Sequence, residues 1–386
     1  MKRAIKLSAL LILLGGINNI VNAQIDPINV VTTAVPFLRI SPDARSGGMG
    51  DVGVATPADA NASFWNIAKT PFNIAQGGVA LSYTPWLQDL GLNDVYLASL
   101  AGYYKLNEDE AISSSMRYFS LGNIQFTDFS GLELGTFRPR EFAFDVGYSR
   151  KLSPQLSLGV ALRYINSNLA SGTINGVSYK AGTAVAGDLS VYHQGIKEDG
   201  SGLSYGVSLT NLGSKISYTS DASQKDFIPA NMGLGLAYTA VFDETSKMTF
   251  GLDIHKLMVP TPPLLGDSIG MVEYRNKSVV SSWFTSFADA PGGFSEELKE
   301  FQFSVGTEFW YMNQFALRGG YFYENPTKGN RQYFTMGAGL KYNTFGLNFS
   351  YLIPSGNGVN RNPLSNTLRF SLIFDFGEGS AAAAAK

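Results

Sequence analysis

The feature that most constrains this chain is a rhythm. From about residue 77 onward, short runs alternate apolar and polar residues with period two, and Gly, Pro, Asn and Asp punctuate them. The runs are 77–84, 94–104, 110–119, 140–151, 154–166, 180–194, 201–213, 229–242, 246–256, 299–310, 313–323, 331–342, 345–353 and 367–376, about fourteen strands and an even number. Their connections sort by parity. Those after even strands are short (105–109, 152–153, 195–200, 243–245, 311–312, 343–344), and those after odd strands are long (85–93, 120–139, 167–179, 214–228, 257–298, 324–330, 354–366). Short turns at one end and long loops at the other are the mark of a transmembrane barrel, with turns periplasmic and loops extracellular. The expected fold is an all-β membrane protein: an antiparallel transmembrane β-barrel of about fourteen strands, residues 77–376, preceded by an N-terminal arm or hatch, residues 24–76, that contains a short helix.

The faces of single strands agree. In the run 246–256, Met248, Phe250, Leu252 and Ile254 share one side, and Thr249, Gly251, Asp253 and His255 share the other. A charged residue turned toward the middle of a bilayer costs about 2–4 kcal/mol, so the polar set must face the lumen and the apolar set the outer-membrane lipid. Inward glycines (Gly233, Gly235, Gly337, Gly339) leave room for something inside, and tyrosines near strand ends (Tyr103, Tyr104, Tyr321, Tyr323) suit interfacial girdles. The last run ends in Phe376, which resembles the terminal aromatic read by the outer-membrane barrel assembly machinery. With a net charge of −2 there is no basic excess to neutralise phosphates, so nucleic acid is not an expected partner. The absence of cysteine removes disulfides and thiolate metal sites.

The two ends read as processing segments. Met1–Lys6 is basic, Leu7–Ile17 is apolar but too short to span a bilayer, and Val21-Asn22-Ala23 offers a cleavage site before Gln24, so residues 1–23 read as a secretory signal peptide. Residues 377–386 are low-complexity after a convincing last strand and read as an appended linker or tail.

Between signal and barrel, Gly48-Met49-Gly50-Asp51-Val52-Gly53 spells GxGxxG. That fingerprint binds a dinucleotide only between a buried strand and a helix, with an acidic residue about twenty positions on. Here Pro36 and Pro42 precede it, no βαβ pattern follows, and that acidic residue is missing. The glycines suit an arm packed closely inside a barrel too wide for its own side chains to fill. Thr56-Pro57 reads as an N-cap and first helical position, so Ala58–Lys69 is expected to be helical, stopping before Pro71. Asp43 and Arg45 are expected to pair with polar groups of the lumen.

The run Phe37-Leu38-Arg39-Ile40-Ser41-Pro42-Asp43-Ala44-Arg45-Ser46-Gly47-Gly48-Met49-Gly50-Asp51, followed by Asn61-Ala62-Ser63-Phe64-Trp65-Asn66-Ile67-Ala68, resembles the N-terminal region of the PorV (LptO) family, outer-membrane barrels of the Bacteroidetes type IX secretion system. The resemblance runs over the whole mature chain, and the arm is its specific part. It implies kinship with FadL-like barrels, which have fourteen strands and an N-terminal hatch, here marked by Asp43, Arg45, Gly48, Gly50, Trp65 and Asn66. FadL-type hatches often carry Asn-Pro-Ala-Gly. Asn66-Ile67-Ala68-Lys69 departs from that at proline and glycine, which speaks against a FadL-type path for hydrophobic small molecules. The resemblance further implies a non-enzymatic role without cofactors. Members bind the C-terminal signal domain of cargo leaving the translocon barrel (SprA/Sov) and deliver it to the attachment complex with the sortase PorU.

The long connection 257–298 suits such a role. It carries the apolar, proline-stiffened Pro260-Thr261-Pro262-Pro263-Leu264-Leu265 and the aromatic Trp283, Phe284 and Phe287. Trp86, Phe126 and Phe129 in other long loops are weaker candidates of the same kind. Catalytic chemistry finds little support. An Asp253–His255 pair could orient an imidazole for a lipid A-modifying reaction, which the resemblance keeps in view, but no nucleophilic serine or oxyanion donor is identifiable. The acidic pairs Glu108/Glu110 and Glu296/Glu297 read as solvated, and no His/Cys cluster suggests a metal.

Overall fold

The computed structural model describes residues 28–88, 91–127, 130–174, 176–221, 224–263, 266–355 and 367–377. The expected signal peptide, Leu264, Leu265, Phe129 and residues 378–386 lie outside these. The strands are β1 (Gly77–Pro85), β2 (Val95–Lys105), β3 (Glu110–Leu121), β4 (Ile124–Thr127), β5 (Glu133–Phe137), β6 (Arg140–Lys151), β7 (Leu156–Asn168), β8 (Gly172–Ile174), β9 (Val177–Tyr179), β10 (Gly182–Ile196), β11 (Gly202–Gly213), β12 (Asn231–Val241), β13 (Ser246–Leu257), β14 (Gln302–Tyr311), β15 (Phe315–Tyr323), β16 (Gln332–Tyr342), β17 (Phe345–Pro354) and β18 (Leu368–Phe376). Fourteen of them close into one antiparallel barrel, running β1-β2-β3-β6-β7 and then β10 through β18, with β18 paired back to β1. Closure runs from Gly77↔Phe376 to Tyr83↔Phe370 and leaves no free sheet edge.

The pleat sorts side chains as the alternation predicts. On β13, Thr249 and Asp253 are buried while Phe250 and Leu252 are exposed on the outer wall. The outer wall carries Val160, Leu162, Val185, Phe334 and Phe349, all exposed large apolar residues, as a lipid-facing surface requires. Tyr103 departs from the expected girdle. It and Tyr104 are consecutive, so a strand must turn them to opposite faces. Tyr104 is exposed outside, and Tyr103 is buried with its hydroxyl donating to the Ala75 carbonyl at 3.4 Å.

Two long connections expected to be loops hold extra strands. β4 pairs with β5 and β8 with β9, each as a separate hairpin. The connection after β13 is not an irregular loop either. It folds into helices Ser268–Asn276, Val279–Thr285 and Phe294–Glu297 and a 3-10 turn at Leu298–Glu300, so β14 starts later than expected. Asp267 caps the first of these helices by accepting from the Gly270 N–H at 2.8 Å.

The arm threads the lumen. At the loop end the Asn29 N–H donates to the Thr327 carbonyl (3.1 Å) and the Ala34 N–H to that of Phe227 (2.9 Å). At the turn end Lys105 Nζ donates to the Asn73 carbonyl at 3.1 Å. Between them lie a 3-10 turn (Pro36–Arg39), two short helices (Ala44–Gly47, Ala62–Trp65) and a second 3-10 stretch (Ile67–Phe72). The single helix expected over Ala58–Lys69 is thus broken. Thr56 does not cap it, because its hydroxyl donates to the Gly53 carbonyl at 3.3 Å. Asp59, which would have served the first turn, holds Arg45 and the Asn61 N–H instead.

Candidate functional site

The docked arm is the first of two functional regions, and glycine makes it possible. A Cβ on Gly306 of β14 would lie 2.1 Å from the Met49 carbonyl oxygen, and one on Gly320 of β15 would lie 2.2 Å from the Gly50 nitrogen. On the opposite wall, Ile67 occupies the space where Cβ atoms of Gly147 and Gly159 would sit, 1.9 and 2.5 Å from its side chain. Any side chain at these positions would collide with the arm. Gly50 itself needs its flexibility: its φ is +70°, and the β15 backbone at Tyr321 is within 2.6 Å of where its Cβ would stand. Gly48 packs against the Gly337 backbone in the same way, at 3.1 Å.

Charged and polar groups fix the register of the arm. Arg45 grips both carboxylate oxygens of Glu308 on β14, through Nε at 2.9 Å and Nη2 at 2.7 Å. Its Nη1 reaches Asp59 and the Pro57 carbonyl, each at 2.9 Å. Arg318 of β15 holds the same Glu308 at 2.8 Å, so a buried Arg–Glu–Arg cluster ties arm to wall. Asp253 accepts the N–H groups of Gly53 (2.7 Å) and Val54 (2.9 Å), and Thr335 accepts that of Gly50 at 2.8 Å. Asp51 accepts from the Tyr333 hydroxyl (2.6 Å) and from Arg369 (3.0 Å).

The hatch residues expected from sequence therefore fall together, with one change of role. Arg45 meets the lumen wall. Asp43 does not: it caps its own helix by accepting from the Ser46 N–H (2.8 Å) and holds the Trp65 indole N–H (2.8 Å), a contact inside the arm. Asn66 caps the 3-10 stretch through the Ala68 N–H at 3.0 Å and donates to the Val191 carbonyl of β10 at 3.0 Å. Lys69, where FadL-type hatches have glycine, is buried with Nζ on the Gly53 carbonyl at 2.5 Å. Sequence reading missed Glu308 and Arg318. Their one signal is a charged residue on the inward side of an alternating strand.

The second region is the helical cap at the loop end. Lys256, fully buried at the end of β13, pairs with Glu297 (2.6 Å) and Glu300 (2.7 Å), and Lys328 pairs with Glu296 (2.6 Å) and Glu300 (3.0 Å). The acidic pair Glu296/Glu297 is thus not simply solvated: Glu297 is buried beneath the cap as its anchor. Trp283 and Phe287 turn inward onto a cluster of Phe227, Ala230, Met258, Val259 and Tyr274. Phe284 points away and is 75% exposed, and Ile269, Val272, Val280 and Phe294 of the same connection are exposed as well. Pro262 and Pro263 are half-buried at the base of the cap. Trp86 is not an exposed loop aromatic. It packs edge-on to Phe119 at 6.2 Å, between the arm's apolar cluster and Phe322, Tyr333 and Leu352.

The Asp253–His255 pair does not form an orienting contact, since the nearest approach is 3.9 Å and Asp253 is committed to the arm backbone. His255 instead meets the Asn231 amide at 3.2 Å. No cluster of three metal-ligating side chains occurs among the described residues.

Several solved structures share this architecture. CymD, a monoaromatic hydrocarbon channel, superposes with a TM-score of 0.51 at 12% identity, over 87% of this chain and 98% of that one. A ΔS2S3 mutant of the TodX monoaromatic hydrocarbon channel gives 0.50 at 12% identity, over 86% and 99%. The TodX toluene transporter of Pseudomonas putida gives 0.49 at 12% identity, over 90% and 98%. At such identities the likeness is one of fold. No curated protein matches the chain. Residues 22–264, which include the whole arm and more than half of the chain, match the family described as type IX secretion system protein PorV. With a closed fourteen-stranded barrel around it, the docked arm belongs to an outer-membrane protein of type IX secretion, and the chain is a member of the PorV family.

Proposed function

We propose that this barrel is an adaptor of type IX secretion that receives the C-terminal signal domain of cargo as it leaves the translocon barrel and hands it to the sortase-bearing attachment complex at the cell surface. The observation that carries the reading is the helical cap: apolar side chains held outward on a segment that buried ion pairs fix to the rim. A flexible loop would lose entropy on binding, whereas an anchored cap presents Phe284 and its neighbours already ordered. Exposed apolar surface of this kind on a barrel's long-loop end suits a protein partner. In this reading the long loops face outward from the cell and the short turns face the periplasm.

The test is binding of a purified cargo signal domain to the detergent-solubilised chain. Phe284→Ser is expected to weaken binding at least tenfold, the loss of a typical aromatic anchor, without changing thermal stability. Equal affinity would remove the cap from the proposal.

A second reading, a channel for hydrophobic small molecules, rests on the architecture shared with CymD. It requires the arm to leave the lumen, so cross-linking the arm to β14 would abolish uptake of such a compound into liposomes. Uptake unaffected by the cross-link, or none in either state, would oppose it.

A further inference from the structure

A cavity of about 70 Å³, lined by both apolar and polar side chains, lies in the lumen between the arm and the wall, and none of the docking contacts above fills it. Its lining includes Arg39 and Ser41 of the arm and Asn231, Ser304 and Arg331 of the wall and loop. The charges around it do not cancel. Arg331 is bidentate on Glu324, with both contacts at 2.8 Å. Gln302 donates its amide to Glu324 at 2.6 Å and accepts from Arg39 with its oxygen, so Arg39 reaches that carboxylate only through a neutral group. Glu324 stands behind the lining, and the carboxylate that does line the cavity, Asp51, is taken by Tyr333 and Arg369. Three guanidiniums (Arg39, Arg331, Arg369) thus share two carboxylates, and Arg39 is the one without an ion-pair partner among the described residues.

Neutral groups facing the same space are also unmatched. Ser41 Oγ, Ser304 Oγ and Asn231 Oδ1 have no hydrogen-bond partner among the described residues, although these residues are 3%, 1% and 8% exposed. Buried polar groups are nearly always satisfied, and Arg39, half-buried beside them, is a cation whose charge meets no carboxylate directly. Two hydroxyls can each donate a hydrogen bond into the space. Asn231 can do so as well once its amide is rotated by half a turn, which leaves its oxygen to accept from His255 in the Nδ1–H tautomer.

We propose that this cavity binds one small oxyanion, of carboxylate or phosphate size, between Arg39 of the arm and Ser304 and Asn231 of the wall. The ion supplies the missing negative charge and accepts the unmatched donors. Because Arg39 belongs to the arm and Ser304 to β14, occupancy favours the docked arm over any state in which the arm has left the lumen.

The test uses the full chain purified in detergent and dialysed against chloride. Ions released on denaturation are quantified by ion chromatography, and the midpoint of thermal unfolding is followed as phosphate or acetate replaces chloride at constant ionic strength. The expected result is either one equivalent of retained oxyanion or a rise in midpoint that saturates with one of the two probes. Which probe saturates identifies phosphate-type or carboxylate-type chemistry. Arg39→Gln is expected to lose both signals while keeping the heat-modifiable mobility of a folded barrel. Ser304→Ala, a milder change, is expected to raise the half-saturating concentration several-fold. No retained ion together with a flat titration of the unaltered chain overturns the proposal, as does an undiminished response in a folded Arg39→Gln variant.

Discussion

Replacing Arg45 with methionine should release the arm. Arg45 makes four contacts of 2.7–2.9 Å, two to Glu308 and one each to Asp59 and the Pro57 carbonyl. The Glu308 side chain is 1% exposed, so water cannot replace what is lost. Removing one partner of a buried ion pair costs about 3–5 kcal/mol. Arg318 remains at 2.8 Å and keeps part of the compensation for Glu308, which puts the cost at the lower end, about 3 kcal/mol. At about 1.4 kcal/mol per factor of ten, that is a roughly hundredfold rise in the undocked population. The chain has no cysteine, so a single reporter is unambiguous. Ser63 suits the purpose, since it is buried in the arm and its hydroxyl has no partner to lose. In a Ser63→Cys background, the rate of modification by a membrane-impermeant maleimide reads the open fraction. Arg45→Met should raise that rate about a hundredfold. Arg45→Lys should fall between, because one ammonium cannot grip both Glu308 oxygens and Asp59 together. A labelling rate unchanged by Arg45→Met, in a barrel that is still folded, would refute the claim that this cluster holds the arm.

Further expectations follow from the same contacts. Gly306→Val should expose the Ser63→Cys reporter, because its side chain would overlap the Met49 carbonyl; Gly319→Val on the outer wall, whose nearest atom is the Thr335 oxygen at 4.0 Å, should leave labelling unchanged. Trp283→Ser should lower the thermal midpoint and increase proteolysis between the cap helices, because this indole packs on the Phe227–Tyr274 cluster, whereas Phe284→Ser should do neither. Glu296 sits below the ordinary glutamate value: partial burial alone would raise it, but the Lys328 ion pair and the Gly292 N–H outweigh that. Its contribution to cap stability is therefore complete above the ordinary value of 4.5 and is lost as pH falls through the lowered one, so protease sensitivity of the cap should rise below about pH 4.5 and the rise should be smaller in Lys328→Met.

The barrel was legible because a lipid-facing wall imposes a simple rule on every strand. Asp253 and Phe250 could be assigned to opposite faces from sequence alone, and the parity of the connections gave the closure. The arm was legible only in part. Its glycines signalled close packing, but the expected Ala58–Lys69 helix is interrupted at an extended Asn66, and Asp59 is held by Arg45, a contact that local propensity cannot report. Glu308 and Arg318 lie far from the arm in sequence, so their part in docking it depended on the closed barrel. The helical cap was hidden for a related reason. Segment 257–298 has no strong helical periodicity of its own, and its helices are held by Lys256 and Lys328 on neighbouring elements. The β8–β9 hairpin was missed although Asn175-Gly176 between two short β-branched runs is a recognised turn signal.

Whether the cap receives secreted protein can be asked most directly by photo-cross-linking in cells. A photoreactive residue replacing Phe284, with the same residue at the lipid-facing Phe334 as control, would be irradiated during active secretion and the adducts identified by mass spectrometry. Adducts are expected at position 284 with proteins that share a C-terminal β-domain, or with the translocon and attachment components that handle them, and none of these at position 334. Adducts with lipid alone at both positions, in cells that are secreting normally, would contradict it.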